Sequence, residues 1–188
     1  MKNVRWSFTL AALLLFCSSA AFARESGAYL AFGLGHSEAK IGGINYTSVG
    51  AGIMLGAQVN KNLALEIEYA DFGEMVAVGV TVNANSQGLS GLLMLPLTQH
   101  TSVYLKAGVA RMNSLLSGTG LTGWNTALSI LPYGLGVQYE LSPKTTIRIF
   151  ADEGYGYQVT GTTTTVGATN VSYSGGISRV GLATLYTF

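Results

Sequence analysis

The segment Val180-Gly-Leu-Ala-Thr-Leu-Tyr-Thr-Phe188 alternates along its whole length. Val180, Leu182, Thr184, Tyr186 and Phe188 fall on one side of an extended strand, and Gly181, Ala183, Leu185 and Thr187 on the other. It ends on aromatic residues with no hydrophilic tail. A soluble protein seldom ends on an exposed Tyr-x-Phe. A strand that closes a barrel in lipid does, because its aromatic end sits at the membrane–water interface.

The opposite end reads as an export signal. Lys2 and Arg5 form a basic n-region, Phe8–Phe16 is an apolar core too short for a stable spanning helix, and Ala21-Phe22-Ala23 is a small-x-small cleavage site. The expectation is a signal peptide over residues 1–23 and one β-barrel domain over 24–188. Cys17 is the only cysteine and raises a lipoprotein alternative. Phe16 occupies the place where a small residue is needed, so Cys17 is read as filler lost with the leader. The exported chain then uses no disulfides, although its compartment allows them.

Ten Lys and Arg face nine Asp and Glu. Loss of Lys2 and Arg5 keeps the balance near neutral, which gives no case for nucleic acid. Charged residues make up 10% of the chain, against about 25% in a typical soluble domain. Beyond the leader there is no stretch of ~18 apolar residues. Apolar surface without a spanning helix is either buried in a soluble core or turned to lipid on a closed sheet.

Strand-like runs occupy Ser26–Ser37, Ser48–Val59, Leu63–Phe72, Gln87–Pro96, Thr101–Met112, Ala127–Leu141, Thr145–Tyr155 and Tyr173–Phe188. Tight turns at Asn60-Lys61-Asn62, Leu97–His100 and Ser142-Pro143-Lys144 alternate with long segments near Glu38–Thr47, Gly73–Ser86, Asn113–Thr126 and Gly156–Ser172. Short periplasmic turns and long external loops are the pattern of an up-and-down outer-membrane barrel. Strands of about ten residues suffice to cross a bilayer at a tilt. The fold class predicted is all-β: an eight-stranded antiparallel up-and-down transmembrane β-barrel.

Facing separates a membrane barrel from a soluble one. Val49, Ile53 and Leu55 oppose Gly50, Gly52, Met54 and Gly56; Leu65, Ile67 and Tyr69 oppose Glu66, Glu68 and Ala70. Val103, Leu105 and Val109 oppose Tyr104, Lys106 and Gly108; Leu131, Tyr133, Leu135, Val137 and Tyr139 oppose Pro132, Gly134, Gly136 and Gln138; Ile147 and Ile149 oppose Arg148, Phe150 and Asp152. A lipocalin-like barrel would cover its exterior with charge. Here the second face has few charges and many glycines, which suits a narrow lumen where glycine leaves room for a few long side chains. Gln87–Pro96 places leucines on both faces, and Gly175-Gly176 reads as a bulge that resets facing.

Leu63-Ala-Leu-Glu-Ile-Glu-Tyr-Ala-Asp-Phe72 is similar to the third strand of the OmpA-like transmembrane domain. Pro132-Tyr-Gly-Leu-Gly-Val-Gln-Tyr-Glu-Leu-Ser-Pro-Lys-Thr-Thr-Ile-Arg-Ile-Phe150 is similar to that family's strand–turn–strand before its last external loop. Val180–Phe188 resembles the C-terminal assembly signal of bacterial outer-membrane barrels. These matches span essentially all of 24–188, and OmpX-type barrels share the same loose patterns. The resemblance implies residence in the bacterial outer membrane and contact with its lipid and lipopolysaccharide. It also implies recognition by the barrel-assembly machinery through Tyr186 and Phe188. Many OmpA proteins continue into a periplasmic peptidoglycan-binding domain; the sequence ends at Phe188, so that activity is not expected.

Alternation turns Glu66, Glu68, Lys106, Arg148, Asp152 and Arg179 inward. Charges buried in a narrow barrel are costly unless paired. The OmpA resemblance implies a carboxylate–base cluster that plugs or gates a small pore. Glu66 and Arg148 match its carboxylate and arginine positions, and Lys106 sits where another base is expected. Gln138 stands where a second carboxylate would be, and Leu92 where a gating lysine would be. A structural plug is therefore expected rather than a gate that switches partners, with Glu66 paired to Arg148 or Lys106.

No catalytic, cofactor or metal site is expected. In His36-Ser37-Glu38, neighbouring strand residues point to opposite faces, so Ser37 cannot meet both. His100 sits in a turn without a ligand partner, Gly33-Leu34-Gly35 opens no helix, and the Glu66-x-Glu68 spacing fits lumenal salt bridging better than paired acid–base catalysis. Tyr155, Tyr157 and Tyr173 are expected in the external aromatic girdle, and Tyr139, Tyr186 and Phe188 in the periplasmic one. The Thr-rich Thr160–Thr169 reads as β-prone sequence extending a hairpin. The function expected is structural, with weak pore activity at most. The alternatives are an adhesin binding a host or phage ligand through its loops and, less favoured, a lipid-modifying enzyme.

Overall fold

The computed structural model describes residues 27–41, 43–118, 121–163 and 169–188. The expected leader 1–23, with Cys17, lies outside the described residues. So do the side chains at 155–175, which include Tyr155, Tyr157, Tyr173 and the Thr160–Thr169 segment.

The strands are β1 (Gly27–Ile41), β2 (Ile44–Asn60), β3 (Leu63–Ala77), β4 (Val80–Pro96), β5 (Thr101–Gly118), β6 (Leu121–Ser142), β7 (Thr145–Thr163) and β8 (Thr169–Thr187). Each pairs antiparallel with the next, and β1 pairs with β8 from Tyr29↔Thr187 to Ala39↔Ile177, closing the barrel. Closure satisfies every strand through its neighbours and leaves no edge, which lipid requires. No described helix is long and apolar enough to cross a membrane; the strands cross instead.

Side-chain oxygens fix the tight turns. Asn60 Oδ1 accepts from the Asn62 N–H at 2.8 Å, Thr98 Oγ1 from the N–H groups of His100 and Thr101, and Ser142 Oγ from those of Lys144 and Thr145. His100 is exposed, with its ring 6.5 Å from that of Tyr139.

The strands run well beyond the lengths read from the sequence. Most of Glu38–Thr47 and Gly73–Ser86, expected as loops, continues β1–β2 and β3–β4, and Asn113–Thr126 and Gly156–Ser172 likewise contain strand. The reason is an inversion of polarity along each strand. Lower down, Leu34, Tyr69, Leu89 and Val109 face out. Higher up on the same faces stand His36 and Glu38, Asp71, Gln87 and Arg111, while Ala39, Tyr46, Met75, Val82, Ala84 and Met112 fill the inside. Above the lipid the outer face meets water, so the barrel there packs like a soluble one. A reading tuned to apolar-out alternation stops where that contrast reverses.

Bulges add to this. Between Asp71 and Glu74 β3 carries one residue more than β4 opposite, and Gly73 adopts φ +77°. A side chain there would be strained and would also meet the Val49 carbonyl. The extra residue expected at Gly175-Gly176 lies instead across the ladder, on β7 between Gly154 and Tyr157. The ambiguous Gln87–Pro96 resolves cleanly: Leu89, Leu93 and Leu95 face out, while Ser90, Leu92 and Met94 face in.

Candidate functional site in the barrel lumen

Alternation on β3, β5, β7 and β8 delivers all of the predicted lumenal charges to one interior. Glu66, Lys106, Arg148 and Arg179 are buried, and Glu68 and Asp152 nearly so. The sequence reads them as one cluster; the structure divides them into two networks, with no ion pair between the two among the described residues.

The first network is nearer the tight turns. Arg148 Nη1 donates to Glu66 Oε1 at 2.5 Å, and the Tyr29 hydroxyl donates to the same oxygen at 2.6 Å. Arg148 Nη2 reaches Gln138 Oε1 at 3.4 Å, and Gln138 Nε2 lies 3.2 Å from Met94 Sδ. The guanidinium sits over the Tyr104 ring, 4.8 Å from its centroid. Leu92 is fully buried in the apolar layer around this pair, with Tyr29, Met54, Tyr104, Phe150 and Leu185.

The second network is a ring of alternating charge. Lys106 Nζ contacts Glu68 Oε2 at 2.5 Å and Asp152 Oδ2 at 3.0 Å; Arg179 Nη2 contacts Asp152 Oδ2 at 3.2 Å and also Glu68 Oε1. Two cations and two carboxylates cancel. The Arg179 guanidinium lies 4.7 Å from the Phe150 ring centroid, so aromatic faces back both networks.

Tyr29, Tyr104 and Phe150 are the residues that a charge-based reading misses. The signal for them lies in the glycines. A Cβ on Gly56 would meet the Tyr29 ring, one on Gly136 the Tyr104 ring, one on Gly181 the Phe150 ring, and one on Gly134 the Asp152 carboxylate. Each of these four side chains lies across a glycine of a neighbouring strand, which is how so narrow a barrel accommodates them.

The free space on the two sides of the networks differs in size. On the side of the tight turns a vestibule of about 550 Å3 ends at Tyr29, Gln138 and Arg148. Above the ring a cavity of about 40 Å3 lies among Glu68, Phe72, Lys106, Asp152 and Arg179. That holds water but not a hydrated solute. Beyond it the external apolar core, with Phe72, Met75, Met112, Ile130 and Ile177, fills the lumen.

Ser37 points inward and is fully buried, while His36 and Glu38 turn outward. Tyr186 and Phe188 face out at the other end, their rings 5.5 Å apart and edge to face, and the Phe188 N–H donates to the Ala28 carbonyl.

A closed antiparallel barrel with an apolar outer band and ion pairs in its lumen defines an integral protein of the bacterial outer membrane. The chain belongs to the outer membrane protein beta-barrel domain family, whose model matches residues 8–183. Among solved structures it is similar to Neisserial surface protein A, at 16% identity and TM-score 0.71, over 87% of this chain and 99% of that one. It is similar to Ail, the attachment invasion locus protein of Yersinia pestis, at 13% identity and TM-score 0.56, over 88% and 100%. It is also similar to OprG from Pseudomonas aeruginosa, at 11% identity and TM-score 0.54, over 87% and 97%. At these identities the likeness is one of fold. No curated protein matches the sequence.

Proposed function

We propose that this chain is a structural barrel that supports envelope integrity and keeps its own lumen shut, with weak pore activity at most. The observation that carries this reading is the double closure of the lumen by Glu66–Arg148 and by the Lys106–Asp152–Arg179–Glu68 ring. Buried ion pairs are weak contributors to stability compared with well-packed apolar residues. Their use across the barrel lumen fits a plug better than a stability device.

The test joins conductance and phenotype. In planar bilayers the refolded protein is expected to stay near baseline, and a deletion strain is expected to leak. A steady open conductance in the unaltered protein would overturn the plug.

A second reading, a surface adhesin, draws on the β3–β4 hairpin tip, where Val76 and Val78 are exposed on the external side. Apolar residues at such a tip suit contact with a partner. One solved structure holds Ail in complex with a heparin analogue, sucrose octasulfate, so a barrel of this fold presents ligand-binding surface. Exchanging the external hairpins between this barrel and a non-binding one separates the readings. Host binding should travel with the hairpins, and envelope integrity should not.

The last strand is the proposed recognition element for the barrel-assembly machinery. Phe188 is 72% exposed, available both to that machinery and to the interface. Deleting residues 186–188, or Phe188→Asp, is expected to cut the amount inserted in the outer membrane severalfold, measured by immunoblot of fractionated envelopes. Normal insertion of both variants would count against an aromatic signal here.

A further inference from the structure

The hairpin between β3 and β4 turns on a strained residue. Ala77 pairs with Val80, so the chain reverses on Val78 and Gly79, at φ +50° and +74°. A two-residue turn with both φ values positive is the mirror-image type that Asn-Gly or Asp-Gly fills without strain. Valine branches at Cβ and fits this region badly. Val78 is the only non-glycine residue with positive φ among those described. Burial does not offset the strain. The Val78 side chain is 82% exposed, the highest value among the large described hydrophobic residues, and Val76 is 59% exposed.

The tip stands on a packed base. Met75 and Val82 face each other across the ladder and are fully buried, so the two valines are held in place before any partner arrives. The next outward pair below them, Glu74 and Asn83, is polar and exposed. Among the described residues Glu74 forms no ion pair.

Strain that the surrounding packing leaves uncompensated gathers where a side chain serves a contact. Two valines carry much less hydrocarbon than one acyl chain, which by itself holds a membrane only marginally. Deeper insertion in a bilayer would also take the Glu74 carboxylate into the apolar layer. A protein pocket buries the valines and leaves Glu74 at its rim, where a basic group can meet it. We infer that the β3–β4 tip is a docking element for a protein partner: Val76 and Val78 fill an aliphatic pocket, and Glu74 pairs with a cation beside it. The inference rests on the second reading above, the surface adhesin, and supplies its contact residues and the chemistry of its partner.

Two measurements on the refolded full chain test this. The first is urea unfolding in lipid vesicles. Val78→Asn relieves the turn and should raise the folding equilibrium constant about tenfold. A constant unchanged or lowered would overturn the inference, because Val78 would then carry no strain to explain. The second probes the barrel in lipid nanodiscs with a phage-displayed library of disulfide-constrained random peptides, after removal of binders to empty nanodiscs. Enriched peptides are expected to combine aliphatic and basic residues and to bind Val78→Asn and Val76→Thr about tenfold more weakly. Glu74→Gln should weaken them severalfold, and Lys40→Gln, an exposed change on β1, should not. Every variant is checked for the gel shift between folded and boiled samples; if Val76→Thr loses it, Val78→Asn carries the comparison. No enrichment, or enriched peptides indifferent to Val76 and Val78, would overturn the tip. So would binding to phosphatidylcholine vesicles that Val78→Asn abolishes, which would make the partner a bilayer. Host binding that follows the exchanged hairpins but survives Val78→Asn would overturn the tip alone. Host binding that does not follow them would overturn the adhesin reading beneath it.

Discussion

Glu66→Ala is expected to destabilise the folded barrel by about 3–5 kcal/mol, reduced to the extent that water reaches the lumen. The substitution removes the acceptor shared by Arg148 and the Tyr29 hydroxyl. Arg148 would keep a 3.4 Å contact to Gln138 and the face of Tyr104, neither of which neutralises it. Glu38→Ala, on the outer face above the lipid, is the control and should cost little. Urea unfolding in lipid vesicles measures both. A double-mutant cycle with Arg148→Ala isolates the pair, and a coupling energy near zero would remove Glu66 from the plug.

The second network changes what this variant should do to conductance. Sequence reasoning about a single cluster leads to a water path opened by Glu66→Ala. With the Lys106–Asp152–Arg179–Glu68 ring still closed above it, Glu66→Ala alone should leave single-channel current near baseline. A clear rise in current on Glu66→Ala would show that the ring does not block.

Gly181→Val is expected to cost about 3 kcal/mol, the upper end of the usual overpacking range, and to slow folding into vesicles. A Cβ at Gly181 would lie 2.2 Å from the Leu34 carbonyl oxygen, 2.6 Å from Phe150 Cζ and 2.8 Å from Gly35 Cα. Two of these atoms are backbone in the β1–β8 seam, so relief requires the closing strands to separate. Gly91→Val is the matched control. Gly91 sits on β4 with its nearest neighbour, Leu65 Cδ2, 4.0 Å from the added Cβ, and valine suits an open strand position better than glycine. Equal stability of the two variants in urea would mean that the seam tolerates a side chain and that close approach is not why glycine stands there.

Much of the barrel was legible because lipid imposes a simple rule. Within the membrane, strands must turn apolar residues outward, and that alternation is plain in Val180–Phe188, Leu131–Tyr139 and Leu63–Tyr69. The external halves were less legible. Residues such as Asn83, Asn85 and Glu74 look like loop sequence, yet they are the wetted face of strands whose other face buries Val82, Ala84 and Met75. The bulge at Gly73 shifts facing within that same region, so a reading in strict register fails there.

The sequence by itself determined the class of fold, the membrane it occupies and which charges point inward, because period-two alternation and residue polarity are local properties of the chain. Only the tertiary structure decided which charge meets which. Glu66 and Glu68 are two residues apart on one strand, yet one joins Arg148 on β7 and the other joins Lys106 on β5 and Arg179 on β8. Those partnerships depend on barrel closure and strand stagger, and on glycines such as Gly56 and Gly136 that let Tyr29 and Tyr104 lie across them. Alternation assigns a side chain to a face; its height in the lumen and its neighbour across the barrel are set only when all eight strands close.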